Sequence, residues 1–276
     1  MDTLDLMKDS IPKGLRAVVT GAGGGLGRAY CLELAAAGAR IVATDLNEES
    51  AKETARLVGE AGGEALGLVS DVAKWESVEA MASQAEEFLG EVDLLVNNAG
   101  VAVRGTVDGT SQEDWDWIMG VNVWGVVNGC RAFLPKMRAR GTGYIVNVSS
   151  IAGLVSPPNL APYNVSKAAV VSLTETLYCE LAGTEVNVCV VCPTFFRTDI
   201  LNSGRGELDD EVLERVGAVM DRSRVQAPEV ARRSLQTVFR GKLYCIPMGK
   251  GLLGWRLKRL LPRWFHGWLM ARGARD

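Results

Sequence analysis

Histidine is nearly absent: His266 is the only one in 276 residues. It lies in the C-terminal tail and reads as a surface or packing residue, and no metal site is expected around it. Cysteine is sparse and scattered, at 31, 130, 179, 189, 192 and 245. Only Cys189 and Cys192 have C-x-x-C spacing, and Val190 and Val191 between them belong to a strand-like run. Residues three apart in a strand face opposite sides. These cysteines therefore read as small buried hydrophobes, and a reducing, cytoplasmic compartment is expected. Long apolar runs are missing: no stretch reaches the about 18 uncharged apolar residues of a membrane span. Met1 to Pro12 has no apolar core, so no signal peptide is expected. Excess charge is missing too. A net charge of -3 gives no case for nucleic acid as a partner. No low-complexity linker splits the chain.

What is present suits one large α/β domain. Hydrophobic residues make up 47% of the chain, and the 31 glycines fit a fold with many turns. Apolar runs near 16–20, 40–44, 65–69, 92–96, 143–148, 186–192 and 243–247 read as strands. Most are rich in Val, Ile and Leu with little polar alternation, as strands covered on both faces require. Amphipathic segments near 26–37, 48–61, 75–89, 112–138, 162–182 and 228–240 read as helices, with Gly38, Gly62 and Gly183 as stop signals. This alternation predicts a Rossmann-type, doubly wound parallel sheet in a three-layer α/β/α domain. The domain is expected to span 12–248. Residues 194–227 break the rhythm as an insertion beside a site, and 249–276 form a tail.

The first strand and helix are joined by Thr20-Gly21-Ala22-Gly23-Gly24-Gly25-Leu26-Gly27. Missing side chains at Gly21, Gly25 and Gly27 would let a pyrophosphate approach backbone N–H groups at the helix N-terminus. Thr20 and Leu26 frame that turn. Asp45 closes the next strand, where a carboxylate accepts hydrogen bonds from an adenosine ribose and repels a 2′-phosphate. NAD is therefore expected over NADP. The competing reading makes Asp45 a cap for the helix beginning near Asn47. Arg28, one turn into the first helix, is expected to face solvent.

Tyr163 and Lys167 stand four residues apart and so share a helix face. An ammonium beside a phenol favours the phenolate and lowers its pKa from about 10. Tyr163 then becomes an acid or base for proton transfer. Ser150, thirteen residues earlier at a strand end, can bind a substrate oxygen and steady its charge. Asn122 is read as holding a water near Lys167.

These elements in this order resemble the short-chain dehydrogenase/reductase family, single-domain and NAD-dependent. Its glycine turn falls on Thr20, Gly21, Gly25 and Gly27, and its Asn-Asn-Ala-Gly element on Asn97, Asn98, Ala99 and Gly100. Its catalytic Asn, Ser, Tyr and Lys fall on Asn122, Ser150, Tyr163 and Lys167. Spacing to the tyrosine selects Ser150 over Ser149. The resemblance spans about residues 12–248. It implies that Asp71 contacts the adenine, with Val72 following, and that Asn98, Ala99 and Gly100 line the cofactor. It implies further that Lys167 holds the nicotinamide ribose and Thr198 the carboxamide, with Pro193 and Phe196 beside them. One departure stands out: the family often has Pro-Gly after the sixth strand, where this chain has Pro193-Thr194. A threonine restricts the backbone there, so a different local path is expected. The family also implies a homodimer or homotetramer with helices 112–138 and 162–182 at an interface.

The expected reaction interconverts a secondary alcohol and a ketone. Val101 to Val107, Leu154 to Asn159 and Phe195 onward would rim the substrate site with few charges, favouring a mostly apolar small molecule. Phe195 and Phe196 serve equally as core packing. An NADP-dependent carbonyl or ketoacyl-type reductase, a non-catalytic NAD-sensing protein, and an epimerase or dehydratase are the alternatives on the same fold. From Lys250 the tail holds seven of the chain's 30 basic residues but one of its 33 acids, and three of its seven tryptophans. Leu253, Leu257, Leu260, Trp264 and Trp268 recur at helical spacing, and Pro262 should divide the tail into two helices. Two readings follow: peripheral contact with a membrane surface, or packing on the domain or a partner subunit, which is the commoner fate of such a face.

Overall fold

The computed structural model describes residues 11–198, 204–206 and 210–273. The expected absence of a leader in Met1–Ser10 and the last charges of the tail, Arg275 and Asp276, lie outside them.

Seven parallel strands form one sheet in the order β3-β2-β1-β4-β5-β6-β7. They are β1 (Arg16–Thr20), β2 (Arg40–Asp45), β3 (Glu64–Val69), β4 (Leu94–Asn97), β5 (Thr142–Val148), β6 (Glu185–Val191) and β7 (Tyr244–Cys245). All seven expected strands are present. Side chains alternate between two cores. Ala17, Val19, Ile41, Ala43, Leu94 and Val96 face one side, and Val18, Val42, Leu95 and Ile145 the other. Burial on both faces explains the unbroken apolar runs; a fully buried Leu or Ile contributes roughly 2–3 kcal/mol. β3 is an edge strand, and both its ends are exposed.

The first face carries α1 (Gly25–Ala36) and, far along the chain, α9 (Ala227–Phe239). Between these in sequence come α2 (Glu48–Glu60), α3 (Trp75–Leu89), α4 (Gln112–Met119), α5 (Gly125–Arg140), α6 (Ala152–Val155), α7 (Ala161–Glu180) and α8 (Asp210–Asp221). Helices α3, α5 and α7 cover the second face. Gly38, Gly62 and Gly183 follow their helices with positive φ, as a stop requires.

Three features depart from the sequence reading. The segment 112–138 is not one helix: a π-turn at Gly120–Trp124 separates α4 from α5. The four-residue α6 and the helix α8 inside the 194–227 insertion went unread. Ser156 and Asn159, after α6, adopt left-handed backbone at φ 53° and 59°.

The tail forms α10 (Gly249–Leu260) and α11 (Pro262–Gly273), with Pro262 at the start of the second. Its inner side packs. Trp255 joins Leu154, Val171, Val190 and Cys192 in a third cluster, and Phe265 is 4% exposed. Among the described residues, no helix is long and apolar enough to cross a membrane.

Candidate active site

The strand order reverses between β1 and β4, so a crevice opens at their carboxyl ends. The glycine turn and the Asn97–Gly100 segment meet there. The Thr20 hydroxyl accepts from the main-chain N–H of Asn98 at 3.0 Å and Ala99 at 3.1 Å. The Asn98 amide donates to the carbonyls of Thr20 and Gly21, both at 3.0 Å. Thr20 and Asn98, expected as cofactor contacts, therefore spend their side chains joining the two loops. What they offer a ligand is backbone.

The three motif glycines have different reasons to be glycine. A Cβ on Gly21 would lie 2.7 Å from the Ala99 Cα, and one on Gly27 would overlap the Gly21 carbonyl oxygen. Both are required by protein packing. Gly25 has positive φ (+49°) and a Cβ there would meet nothing within 4 Å. Of the three, Gly25 alone opens onto free space, which corrects the uniform role expected of them. It begins α1, whose N-terminus has no side-chain cap and no acid in its first turn. Its main-chain N–H groups suit a phosphate. Leu26 is buried beneath.

The Asp45 carboxylate accepts from Gly23 N at 2.9 Å and Asn47 N at 3.0 Å. Asn47, not Asp45, caps α2, accepting from Ser50 N at 2.9 Å. A Cβ on Gly23 would press on the Asp45 carboxylate at 2.8 Å. Gly23 was missed in the sequence, hidden in the middle of the glycine run. Arg28 does not face solvent. It folds back to donate to Thr54 Oγ1 at 3.0 Å and to the Gly23 carbonyl, because a flexible side chain on that turn reaches unpaired carbonyls. Asp71 accepts from Ala73 N at 3.1 Å and pairs with Lys74. Val72 is buried against Gly125.

Ser150, Tyr163 and Lys167 come together at the ends of β5 and α7. The Ser150 side chain acts on the Tyr163 phenol, and its hydroxyl accepts from Ala152 N at 3.1 Å. Ser149 is 3% exposed and donates to the Lys167 carbonyl at 2.7 Å, so Ser150 is the serine that faces the crevice. Lys167 is also buried, and its Nζ donates to the Val148 carbonyl at 3.1 Å. A Cβ on Gly100 would stand 3.2 Å from both Lys167 Nζ and Asn122 Oδ1. Gly100 thus leaves room for the ammonium. Gly153, unread in the sequence, does the same for the helices: a Cβ there would meet the Lys167 main chain at 2.6 Å. α6 can therefore rest on α7 and bring Ser150 to Tyr163.

Asn122 occupies the π-turn and is fully buried. Its amide donates to the Val101 carbonyl at 2.9 Å and Ser166 Oγ at 3.0 Å, and its oxygen accepts from Val101 N at 2.8 Å. The side chain ties the loop at Val101 to α7, so a water expected here would have to rely chiefly on the main chain. π-turns recur at functional sites for this reason.

The expected lowering of the phenol pKa is not found. Burial pushes Tyr163 upward, and only Ser150 works against it. Lys167 Nζ lies 5.8 Å from the centre of the Tyr163 ring and is turned to the Val148 carbonyl. Helical spacing shares a face; it does not aim the end of a four-carbon side chain. Burial lowers the Lys167 amine to about 8.

Beyond β6, Pro193 is buried and its carbonyl accepts from Ile151 N at 2.9 Å. The Phe pair divides. Phe196 is 7% exposed and belongs to the core, whereas Phe195 is 50% exposed. The Phe196 ring, expected at the cofactor, is spent on packing. Thr198 is half-buried, directly before residues outside the described set. Arg205 of the insertion pairs in a β-bridge with Val103, laying the insertion along the 101–107 rim. Thr194 meets the tail: a Cβ on Gly251 of α10 would lie 2.6 Å from its methyl carbon. Lys258 of α10 donates to the Leu154 carbonyl at 2.7 Å.

Known proteins match this arrangement. A 2-(R)-hydroxypropyl-CoM dehydrogenase of Xanthobacter autotrophicus is 39% identical over 206 residues, 72% of this chain and 82% of its own. An uncharacterized oxidoreductase of Thermotoga maritima is 40% identical over 181 residues, 66% of this chain and 71% of its own. The chain spans 31% of the length of the EphD protein of Mycobacterium tuberculosis, at 42% identity. A short-chain dehydrogenase/reductase of Burkholderia phymatum, solved in complex with NAD, superposes with a TM-score of 0.84 at 36% identity, covering 90% of this chain and 93% of that one. The short chain dehydrogenase family model matches residues 16–208. With the parallel sheet, the opened glycine turn and the Ser–Tyr–Lys cluster in one crevice, this chain belongs to the short-chain dehydrogenase/reductase family and is an oxidoreductase of that family.

Proposed function

We propose that this protein interconverts a secondary alcohol and its ketone with NAD, on a mostly apolar small molecule. The observation that carries the reading is the meeting of Ser150, Tyr163 and the buried Lys167 amine, whose Nζ lies 5.8 Å from the centre of the Tyr163 ring, in the same crevice as the open N-terminus of α1. The cradle fits a dinucleotide. The open space at Gly25 leaves room for a pyrophosphate, the Asp45 carboxylate faces the turn where a ribose diol would lie, and Gly100 leaves backbone clear beside Lys167. When bound, the nicotinamide supplies or accepts the hydride. Tyr163 takes the hydroxyl proton in oxidation and returns it in reduction. Ser150 has one hydroxyl proton: toward the phenol oxygen it favours the phenolate, and with substrate bound it turns to hold the substrate oxygen. The Lys167 ammonium adds positive charge once its amine leaves the Val148 carbonyl.

Asp45 is the support for NAD over NADP: a 2′-phosphate would approach a carboxylate already held in place by two N–H groups. The substrate reading rests on the rim. Val107 is 71% exposed and Phe195 50%, while Leu154 and Val103 are buried.

The deciding experiment gives the protein NAD or NADP with a panel of secondary alcohols and follows reduced-nicotinamide absorbance. Turnover with NAD is expected. Tyr163→Phe should keep NAD binding by calorimetry and lose about 10²–10⁴-fold in turnover. Full turnover by that variant would require another acid–base group.

A further inference from the structure

The tail has one face against the domain and one face against nothing among the described residues. Inward are Gly251, Trp255, Lys258 and Phe265. Outward are Leu253 (59% exposed), Leu260 (78%), Leu261 (53%), Trp264 (56%) and Met270 (68%). Exposed Arg256 and Arg263 stand among them, and Lys250 is exposed near the start of α10. Residues 249–273 contain no Asp or Glu, in a chain with more acids than bases. A protein surface covering this face would need an apolar centre ringed by acids. An anionic bilayer offers both at once, because its headgroups meet Arg and Lys while its interface receives Trp and Leu. The helices are too short and too charged to cross it.

We propose that α10 and α11 form a docking face for an anionic lipid bilayer, lying in the headgroup region. The inner side of α10 touches α6, through Lys258 on the Leu154 carbonyl, and Thr194, through Gly251. Docking therefore sets the α6 rim of the crevice at the lipid surface, where apolar molecules concentrate. The docking itself does not depend on the proposed alcohol chemistry.

The test is co-sedimentation of the full-length protein with phosphatidylcholine vesicles, with and without phosphatidylglycerol. Partition into the phosphatidylglycerol vesicles is expected, weakening as salt rises. Arg256→Gln with Arg263→Gln should lower it about thirtyfold, at roughly one tenfold step per 1.4 kcal/mol and about 1 kcal/mol per cation. Leu260→Ser with Trp264→Ser should lower it at least about tenfold. Both variants alter exposed side chains and should keep the thermal midpoint and NAD binding of the parent. No partition into anionic vesicles, or partition unmoved by either variant, overturns the proposal. So does a change in the particle mass by light scattering in Leu260→Ser/Trp264→Ser with lipid binding intact, which would assign the face to a second copy of the chain.

Discussion

Lys167 carries the sharpest conflict between stability and use at the scale of single residues. Its amine is buried, with the Val148 carbonyl as its hydrogen-bond partner, and burial lowers it to about 8. The unfolded chain holds that proton up to about 10.4. Between these values the unfolded state binds more protons, so this residue makes stability rise with pH from about 8 to 10.4. Below pH 8 the buried ammonium costs on the order of 3 kcal/mol. Lys167→Met should raise the urea midpoint at pH 7, flatten that rise between pH 8 and 10.4, and abolish turnover. A midpoint that fell at pH 7 would mean the ammonium is better paired than the geometry implies. The sequence singled out Ser150, Tyr163 and Lys167 by their spacing, and the fold brings the three together. The direction of the phenol pKa was not legible there, because it depends on where Lys167 Nζ points and how deeply the ring lies. Arg28 failed for a related reason: its helix position said solvent, but its length let it return to the Gly23 carbonyl.

At the scale of elements, the turn between β1 and α1 separates two kinds of glycine. Gly27→Ala puts a methyl group into the Gly21 carbonyl, where neither backbone can retreat, and should cost more than about 3 kcal/mol in denaturant melts. Gly25→Ala meets no atom and costs only its left-handed backbone, about 1–2 kcal/mol. It should stay folded and lose NAD affinity, read by calorimetry, because its methyl occupies the open cradle. The contact between Thr194, beyond β6, and the tail behaves as a matched pair. Gly251→Ala should destabilise by about 1–3 kcal/mol through the Thr194 methyl. Thr194→Ser removes that methyl, and the double variant should recover at least about 0.5 kcal/mol relative to additivity in thermal melts. Such a pairing gives the departure from Pro-Gly a structural partner 57 positions away. Strands were readable because burial on both faces writes unbroken apolar runs. The π-turn was not, because one extra residue in a helix leaves the apolar pattern almost unchanged.

The whole molecule leaves a second surface to be explained. Trp124 is 56% exposed, Val165 48% and Tyr178 47%. A groove nearby is lined by Trp75, Cys130, Leu134, Leu173 and Leu177 of α3, α5 and α7. An isolated monomer gains nothing from these groups in water. They support the proposal that the protein is a homodimer or homotetramer through this face. Light scattering should give a multiple of the 29.6 kDa chain, and Leu134→Glu with Leu173→Glu should give the monomer mass. This face and the tail face are separate, so each variant pair should leave the other surface's behaviour unchanged.

The order of strands and helices, the glycine turn and the spacing of Ser150, Tyr163 and Lys167 were determined by the amino-acid sequence alone. Each is a local pattern: a period of burial, a missing side chain, a fixed spacing on one helix. Only the tertiary structure decided which glycine opens to a ligand, which of the phenylalanine pair is core, and how the tail divides between a packed and an uncovered face. Those outcomes depend on which distant atoms arrive within a few ångströms, and no stretch of sequence carries that distance by itself.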